Sequence, residues 1–174
     1  MTAALACLRE AGMPFRWLRP EAMHLTLAFL GEVAENAVAA IDAALRITAA
    51  EHAPFPVTLR DVGAFPDFRR PNVLWMGMAP SDALHALHRD VAAALEPLGF
   101  PPERRVFHPH ITLARTQNDT PRSAFGALGG LAASVRLEAT TEVTAVDLMR
   151  SHLSRAGARY ERVSCALLSG RRSP

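Results

Sequence analysis

Apolar positions along the 174 residues alternate in some stretches and recur every three to four in others, which divides the chain into predicted strands and helices. Residues 2–12 carry a helical pattern, and Pro14 to Leu18 alternates into a short strand before Pro20 turns the chain. Met23 to Leu30 reads as the next strand. From Val33 to Ala50 an alanine-rich stretch sets Val33, Ala37, Ile41, Ala44 and Leu45 on one helical face. Phe55 to Phe65, with Val57, Leu59 and Val62 as its core, and Val73 to Met78 read as a β-hairpin around a basic, turn-rich loop. Ser81 is placed to cap a helix whose stripe is Leu84, Leu87, Val91, Leu95 and Leu98, ending near Gly99. Phe107 to Ala114 is a predicted strand, and Pro121 to Ala132 a short helix weakened by three glycines. Ser134 to Ala139, Glu142 to Ser151 and Arg159 to Leu168 are late strands, the last two joined by a turn at Ser154 to Gly157, before a frayed tail from Gly170.

This order of elements is α+β, with mostly antiparallel sheets and helices outside them, in one domain spanning 1–174 or two small lobes sharing a core. No Gly-rich dinucleotide loop follows any predicted strand. Cys7 and Cys165 stand far apart and form no metal spacing, so both are expected as reduced packing residues. No apolar run approaches the roughly 20 residues of a membrane span, and the first residues lack the basic start of a signal peptide. A cytoplasmic protein with no membrane association is the expectation.

Charge narrows the chemistry. All 19 basic residues are arginine, and the absence of lysine excludes P-loop phosphate binding and lysine Schiff-base or adenylyl-lysine chemistry. Arginine suits bidentate phosphate recognition instead, while a net charge of only +2 argues against binding long nucleic-acid duplexes.

The candidate chemistry lies in a duplication. Residues His24 to Ala28 read HLTLA, and His110 to Ala114 read HITLA, 86 positions later. In a strand, His24 and Thr26 share one face, as do His110 and Thr112, while the intervening leucine or isoleucine points behind. A single His-x-Thr carries little weight; two copies matching over five positions, each on a predicted strand, describe the wall of a cleft.

The stretches RWLRPEAMHLTLAFLGEV (Arg16 to Val33), FHPHITLAR (Phe107 to Arg115) and DLMRSHLSRAGARYERV (Asp147 to Val163) resemble the 2H phosphoesterase superfamily, and within it the RNA 2′,3′-cyclic phosphodiesterases once described as 2′-5′ RNA ligases. The likeness runs from Arg16 to Leu168. Family members usually open with an additional strand, whereas this chain starts at MTAALACLREAG, so either the start codon is misassigned or that strand is lacking, which would expose a sheet edge.

The resemblance implies a bilobal, pseudo-twofold fold and metal-independent opening of a 2′,3′-cyclic phosphate, with weak reversible 2′-5′ ligation as a side reaction. Histidine, with an ordinary pKa near ~6.5, serves as acid or base at neutral pH, so two suffice without metal or cofactor. His24 is assigned as general acid and His110 as general base, although the pseudo-symmetry leaves the sequence nearly silent on that choice. Thr26 and Thr112 would bind phosphate oxygens, as would Arg115, an offset at which the family places an arginine. By simple strand parity, however, Arg115 faces away from His110, so this role requires a bulge, a strand end or a long reach.

His108, expected to share a strand face with His110, is a possible cleft-lining residue. His85 and His88 are expected in solvent, His52 as a solvated helix terminus, and His152-Leu153-Ser154 as a decoy lacking the threonine. Arg69, Arg70, Arg104 and Arg105 are candidate RNA phosphate contacts, and Phe68 a candidate base-stacking ring. The expected partners are RNA ends or nucleotides carrying a 2′,3′-cyclic phosphate, with no obligate protein partner. Two alternatives stand beside this: a cyclic phosphodiesterase acting on a small nucleotide, and a non-catalytic RNA- or nucleotide-binding module.

Overall fold

The computed structural model describes residues 5–117, 120–154 and 157–170; the expected turn at Ser154 to Gly157 and the tail after Gly170 fall largely outside these. The elements, in order, are α1 (Ala6–Glu10), β1 (Phe15–Trp17), α2 (Val38–Glu51), β2 (Phe55–Phe65), β3 (Val73–Met78), α3 (Asp82–Leu95), β4 (His110–Thr116), α4 (Leu128–Ser134), β5 (Ala139–Val143), β6 (Ala145–Ser154) and β7 (Gly157–Leu167). The chain divides into two compact units, each made of three segments: 1–26, 58–79 and 109–141 in the first, and 27–57, 80–108 and 142–174 in the second.

The first unit is organised by a five-stranded sheet in the order β1-β4-β3-β2-β5. The pairs β1–β4, β3–β4 and β2–β3 are all antiparallel. Side chains on one sheet face form the core: Phe15, Leu59, Ala64, Leu74, Met76 and Ala114 are buried together with Leu5, Leu8, Phe125 and Leu128 from the helical segments. Alternation holds in β3 and on either side of one irregularity in β2, with Leu59, Val62 and Ala64 facing this cluster. Phe68 packs against the same cluster, with its ring about a Cβ contact from Gly129. It is a core-facing residue and not the exposed stacking ring expected from the sequence.

Two strands are irregular. In β2, Asp61 takes a left-handed backbone at φ 61° and is the extra residue between Arg60, opposite Gly77, and Val62, opposite Met76. In β4, Thr112 lies opposite Trp75 but Ala114 lies opposite Leu74, so Leu113 is inserted as a bulge.

Several sequence boundaries shift. Met23 to Leu30 is not a strand; it makes a single antiparallel bridge, Leu25 to Ile111. Its second half, from Leu27, belongs to the other unit. The strand expected from Phe107 starts only at His110. Of the helix expected over residues 2–12, residues 2–4 lie outside the described residues; Ala6–Glu10 is helical, and Gly12 turns left-handed at φ 64° beyond it. The helix expected from Val33 begins at Val38, after a 3-10 turn at Glu35–Ala37. Ser134 to Ala139 is mostly helix end and loop, with β5 beginning at Ala139.

The second unit packs α2 against α3 and against the antiparallel hairpin β6–β7. The Ser81 hydroxyl accepts from the Leu84 N–H at 3.3 Å, as the capping pattern predicts. Leu84, Leu87, Val91 and Leu95 are buried, whereas Leu98, in the following 3-10 turn, is exposed. His52 is not a solvated terminus: its side chain is 14% exposed and its Nε2 lies 3.1 Å from Asp90, tying the end of α2 to α3.

Packing at one glycine limits the first unit. A Cβ built on Gly63 would fall 2.1 Å from the Trp75 ring, which lies across it. Gly63→Ala is expected to destabilise the protein by about 1–3 kcal/mol through overpacking, read as a lowered urea midpoint with an altered tryptophan emission.

Candidate active site

The register of the sheet decides which residues share the face opposite the core. Leu25 and Ile111 are partners, and Ile111 lies opposite the buried Met76, so both point to the core side. His24, Thr26, His110 and Thr112, one residue away on each strand, therefore project from the other face. Because the two segments run antiparallel, His24 falls beside Thr112 and Thr26 beside His110. Each imidazole neighbours the other motif's hydroxyl, and the two histidines are a diagonal pair with backbones roughly 7–8 Å apart.

Arg115 joins this face because of the Leu113 bulge. Regular alternation from His110 would turn it away. The inserted residue resets the parity: Leu113 and Ala114 are both fully buried, and Arg115 lies opposite Val73, which alternates in phase with Trp75 and Gly77, the partners of Thr112 and His110. On its other side Arg115 is paired with Arg16 of β1. Arg16 was quoted in the sequence only within a longer stretch; nothing in the primary structure shows that it shares a face with the motifs, since that follows from the bulge.

The face is lined by rings on the β2–β3 side. The Phe65 and Trp75 centroids are 5.1 Å apart, and His110 is 5.1 Å from Phe65, edge-on at 84°, and 6.0 Å from Trp75. Phe65 and His110 lie on strands separated by β3, so the sheet curls enough to bring them together. Sequence reasoning missed Phe65 and Trp75, whose signal was only an aromatic residue in each arm of the hairpin.

His24 is exposed, and its Nδ1 is 2.9 Å from the carbonyl oxygen of Ala22. A carbonyl only accepts, so Nδ1 carries the proton and Nε2 is the nitrogen available for proton transfer. The Ala22 carbonyl is presented by a 3-10 turn over Pro20–Ala22, begun by the proline.

His108 precedes β4 and belongs to the second unit, so it does not share a strand face with His110. His88 is not in solvent: it stacks on Phe107 at 3.8 Å and 5°. Burial, and then the neighbouring charge of His85, push its pKa below the ordinary value. His85 meets the same ring edge-on. His152 bonds Glu161 at 2.8 Å, and that contact holds the Glu161 carboxyl below its usual range. Asp67 accepts from the Arg69 and Arg70 N–H groups and pairs with the Arg70 guanidinium, contacts that lower its pKa. Among the described residues no three His, Cys, Asp or Glu side chains cluster to hold a metal ion, and no helix is long and apolar enough to cross a membrane.

The chain is similar to several known proteins. A model of the 2′-5′ RNA ligase superfamily matches residues 14–155. An RNA 2′,3′-cyclic phosphodiesterase of Aeropyrum pernix is 34% identical over 166 residues, 92% of this chain and 93% of that protein. One from Geobacillus stearothermophilus is 41% identical over 114 residues, 64% of this chain, which spans only 36% of that relative's length. A crystal structure of E. coli LigT complexed with 3′-AMP aligns with a TM-score of 0.70 and 25% identity, covering 96% of this chain and 90% of LigT. The α+β fold with curled antiparallel sheets is thus that of LigT.

Proposed function

We infer the reaction from a plain premise: the chain belongs to the 2′-5′ RNA ligase superfamily, and its two His-x-Thr motifs open an RNA 2′,3′-cyclic phosphate to a 2′-phosphate. The observation that carries this reading is the antiparallel Leu25–Ile111 pairing. It supports a reading in which the two imidazoles and two hydroxyls share one sheet face.

Opening the ring by in-line displacement needs a base on the entering water and an acid on the departing ribose oxygen, on opposite sides of phosphorus. His110 takes a proton from water as its oxygen bonds to phosphorus. The bond from phosphorus to O3′ breaks, and His24 Nε2 gives its proton to O3′, leaving the phosphate on O2′. The Nδ1 contact to Ala22 supports His24 as a group held with one working nitrogen. The contacts of His110 with Phe65 and Trp75 support an orientation fixed by packing. Thr26 and Thr112 donate to the non-bridging oxygens, and Arg115 stabilises the charge that builds on them. Neither step requires a metal or cofactor.

The relatives named RNA 2′,3′-cyclic phosphodiesterase support the substrate class, and LigT complexed with 3′-AMP supports a nucleotide as ligand. The same groups run backwards join a cyclic phosphate end to a 5′ hydroxyl, so weak reversible 2′-5′ ligation accompanies the hydrolysis.

The test is a short RNA ending in a 2′,3′-cyclic phosphate, incubated with the protein in EDTA and its product identified as 2′- or 3′-phosphate. Conversion to the 2′-phosphate is expected with EDTA present. His24→Ala and His110→Ala should each lower kcat by about 10²–10⁴-fold, the range for losing one positioned acid or base. A fully active single variant would remove that histidine from the mechanism. Arg115→Ala should lower kcat/KM by roughly tenfold or more, as for loss of a charge-assisted phosphate contact, and an unchanged value would separate the bulge from the chemistry.

A further inference from the structure

The face that carries both motifs also carries a like-charged pair. Arg16 on β1 lies directly opposite Arg115 on β4, with both side chains exposed. Directly opposed like charges destabilise an antiparallel pair, and their backbones stand only about 5 Å apart. Among the described residues neither guanidinium forms an ion pair with a carboxylate. Arg60, on the same face by its pairing with Gly77, contrasts with them: it is bridged to Asp61 at 3.5 Å.

The repulsion is offset only if an anion lies over the pair, and the number of charges decides which anion. A 2′,3′-cyclic phosphate carries one negative charge, which Arg115 alone balances, and the acid histidine loses its own positive charge with the proton it transfers. Arg16 is in excess for a cyclic mononucleotide. The next negative charge that an RNA end offers is the phosphodiester joining its terminal nucleotide to the one before it. Arg16 is suitably placed for that group, because β1 is an edge strand and a polynucleotide can run off the sheet across it without meeting a further strand.

We propose that Arg16 binds the phosphodiester immediately 5′ of the terminal nucleotide, so that the site selects the end of an RNA chain over a cyclic mononucleotide. This rests on the reaction inferred above and adds to it the class of substrate. Arg16 touches the chain and not the reacting atoms, so its contribution falls on KM and not on kcat.

The experiment compares wild type, Arg16→Ala and Arg16→Lys on two substrates, a short RNA ending in a 2′,3′-cyclic phosphate and adenosine 2′,3′-cyclic phosphate, across a salt series. The ratio of the two kcat/KM values, RNA over mononucleotide, should fall about tenfold in Arg16→Ala, the size of one charge-assisted hydrogen bond, with the change borne by the RNA KM. The dependence of log KM for RNA on log salt should lose a slope of about 0.7, one phosphate contact on a single strand, and Arg16→Lys should recover most of that slope. A urea midpoint for each variant separates these effects from loss of fold.

Equal losses on both substrates would put Arg16 on the reacting phosphate and overturn the proposal, as would an unchanged ratio. If the folded wild type turns over neither substrate, the reaction itself fails and the proposal with it. A wild type active on both with an insensitive ratio removes the role of Arg16 alone.

Discussion

The arrangement of the site depends on one inserted residue. Strand β4 is paired on both sides, with β1 and with β3, so a change in its parity is felt across the sheet. Leu113 is that change. Without it, His110, Thr112 and Ala114 would alternate regularly and Arg115 would be driven toward the core cluster, where an unpaired guanidinium is too costly to bury. With it, two consecutive apolar residues enter the core, and the arginine emerges on the same face as Thr112 and His110, two and four β3 positions away. Burial of Leu113 and Ala114, both without solvent exposure, supplies the hydrophobic free energy that holds the irregularity in place. The same step brings Arg16 onto the motif face through its pairing with Arg115.

A second constraint comes from the glycines of the hairpin. Trp75 lies flat across Gly63, and Gly77 separates Arg60 from His110 along one row of the sheet. Side chains at these positions would fill the floor of the face. Their absence lets the Trp75 and Phe65 rings fold over toward His110. The imidazole therefore has an apolar wall of two rings on one side.

What was legible in the sequence was what depended on local pattern. The β2–β3 hairpin follows from alternation between turn residues, and α3 from a serine cap and a leucine stripe. The paired motifs follow from a repeat too long to arise from composition. What was not legible depended on partners distant in the chain. The bulge is invisible in HITLART because Leu113 and Ala114 are each acceptable on either face of a strand, and only the register with Leu74 and Trp75 distinguishes them. Met23 to Leu30 has strand composition, but only Leu25 finds a bridging partner. His88 was expected in solvent because it lies off the leucine stripe, His52 because it ends a helix, and Phe68 as a stacking ring because arginines follow it, whereas Phe107, Asp90 and the core cluster, each remote in sequence, determine where they pack.

The chain order explains why this site tolerates so little displacement. Thr26 ends the first segment of its unit, and Pro109 and His110 begin the third, so both motifs stand where the chain crosses between units. The bridge that pairs them closes a loop of 86 residues, from Leu25 to Ile111, and the entropy of that closure has to be recovered from contacts elsewhere. A single bridge cannot supply it. The β3–β4 ladder and the core beneath it hold Ile111 in place first, and β1, continuing through the Leu18 N–H to the Leu113 carbonyl at 2.9 Å, then guides His24 to its position. The backbone positions of the two histidines are consequently set by the ladder and the core beneath it, while Ala22, Phe65 and Trp75 orient their rings. A cavity under Leu74 or Met76 would shift Ile111, and through it the pairing on which the face depends.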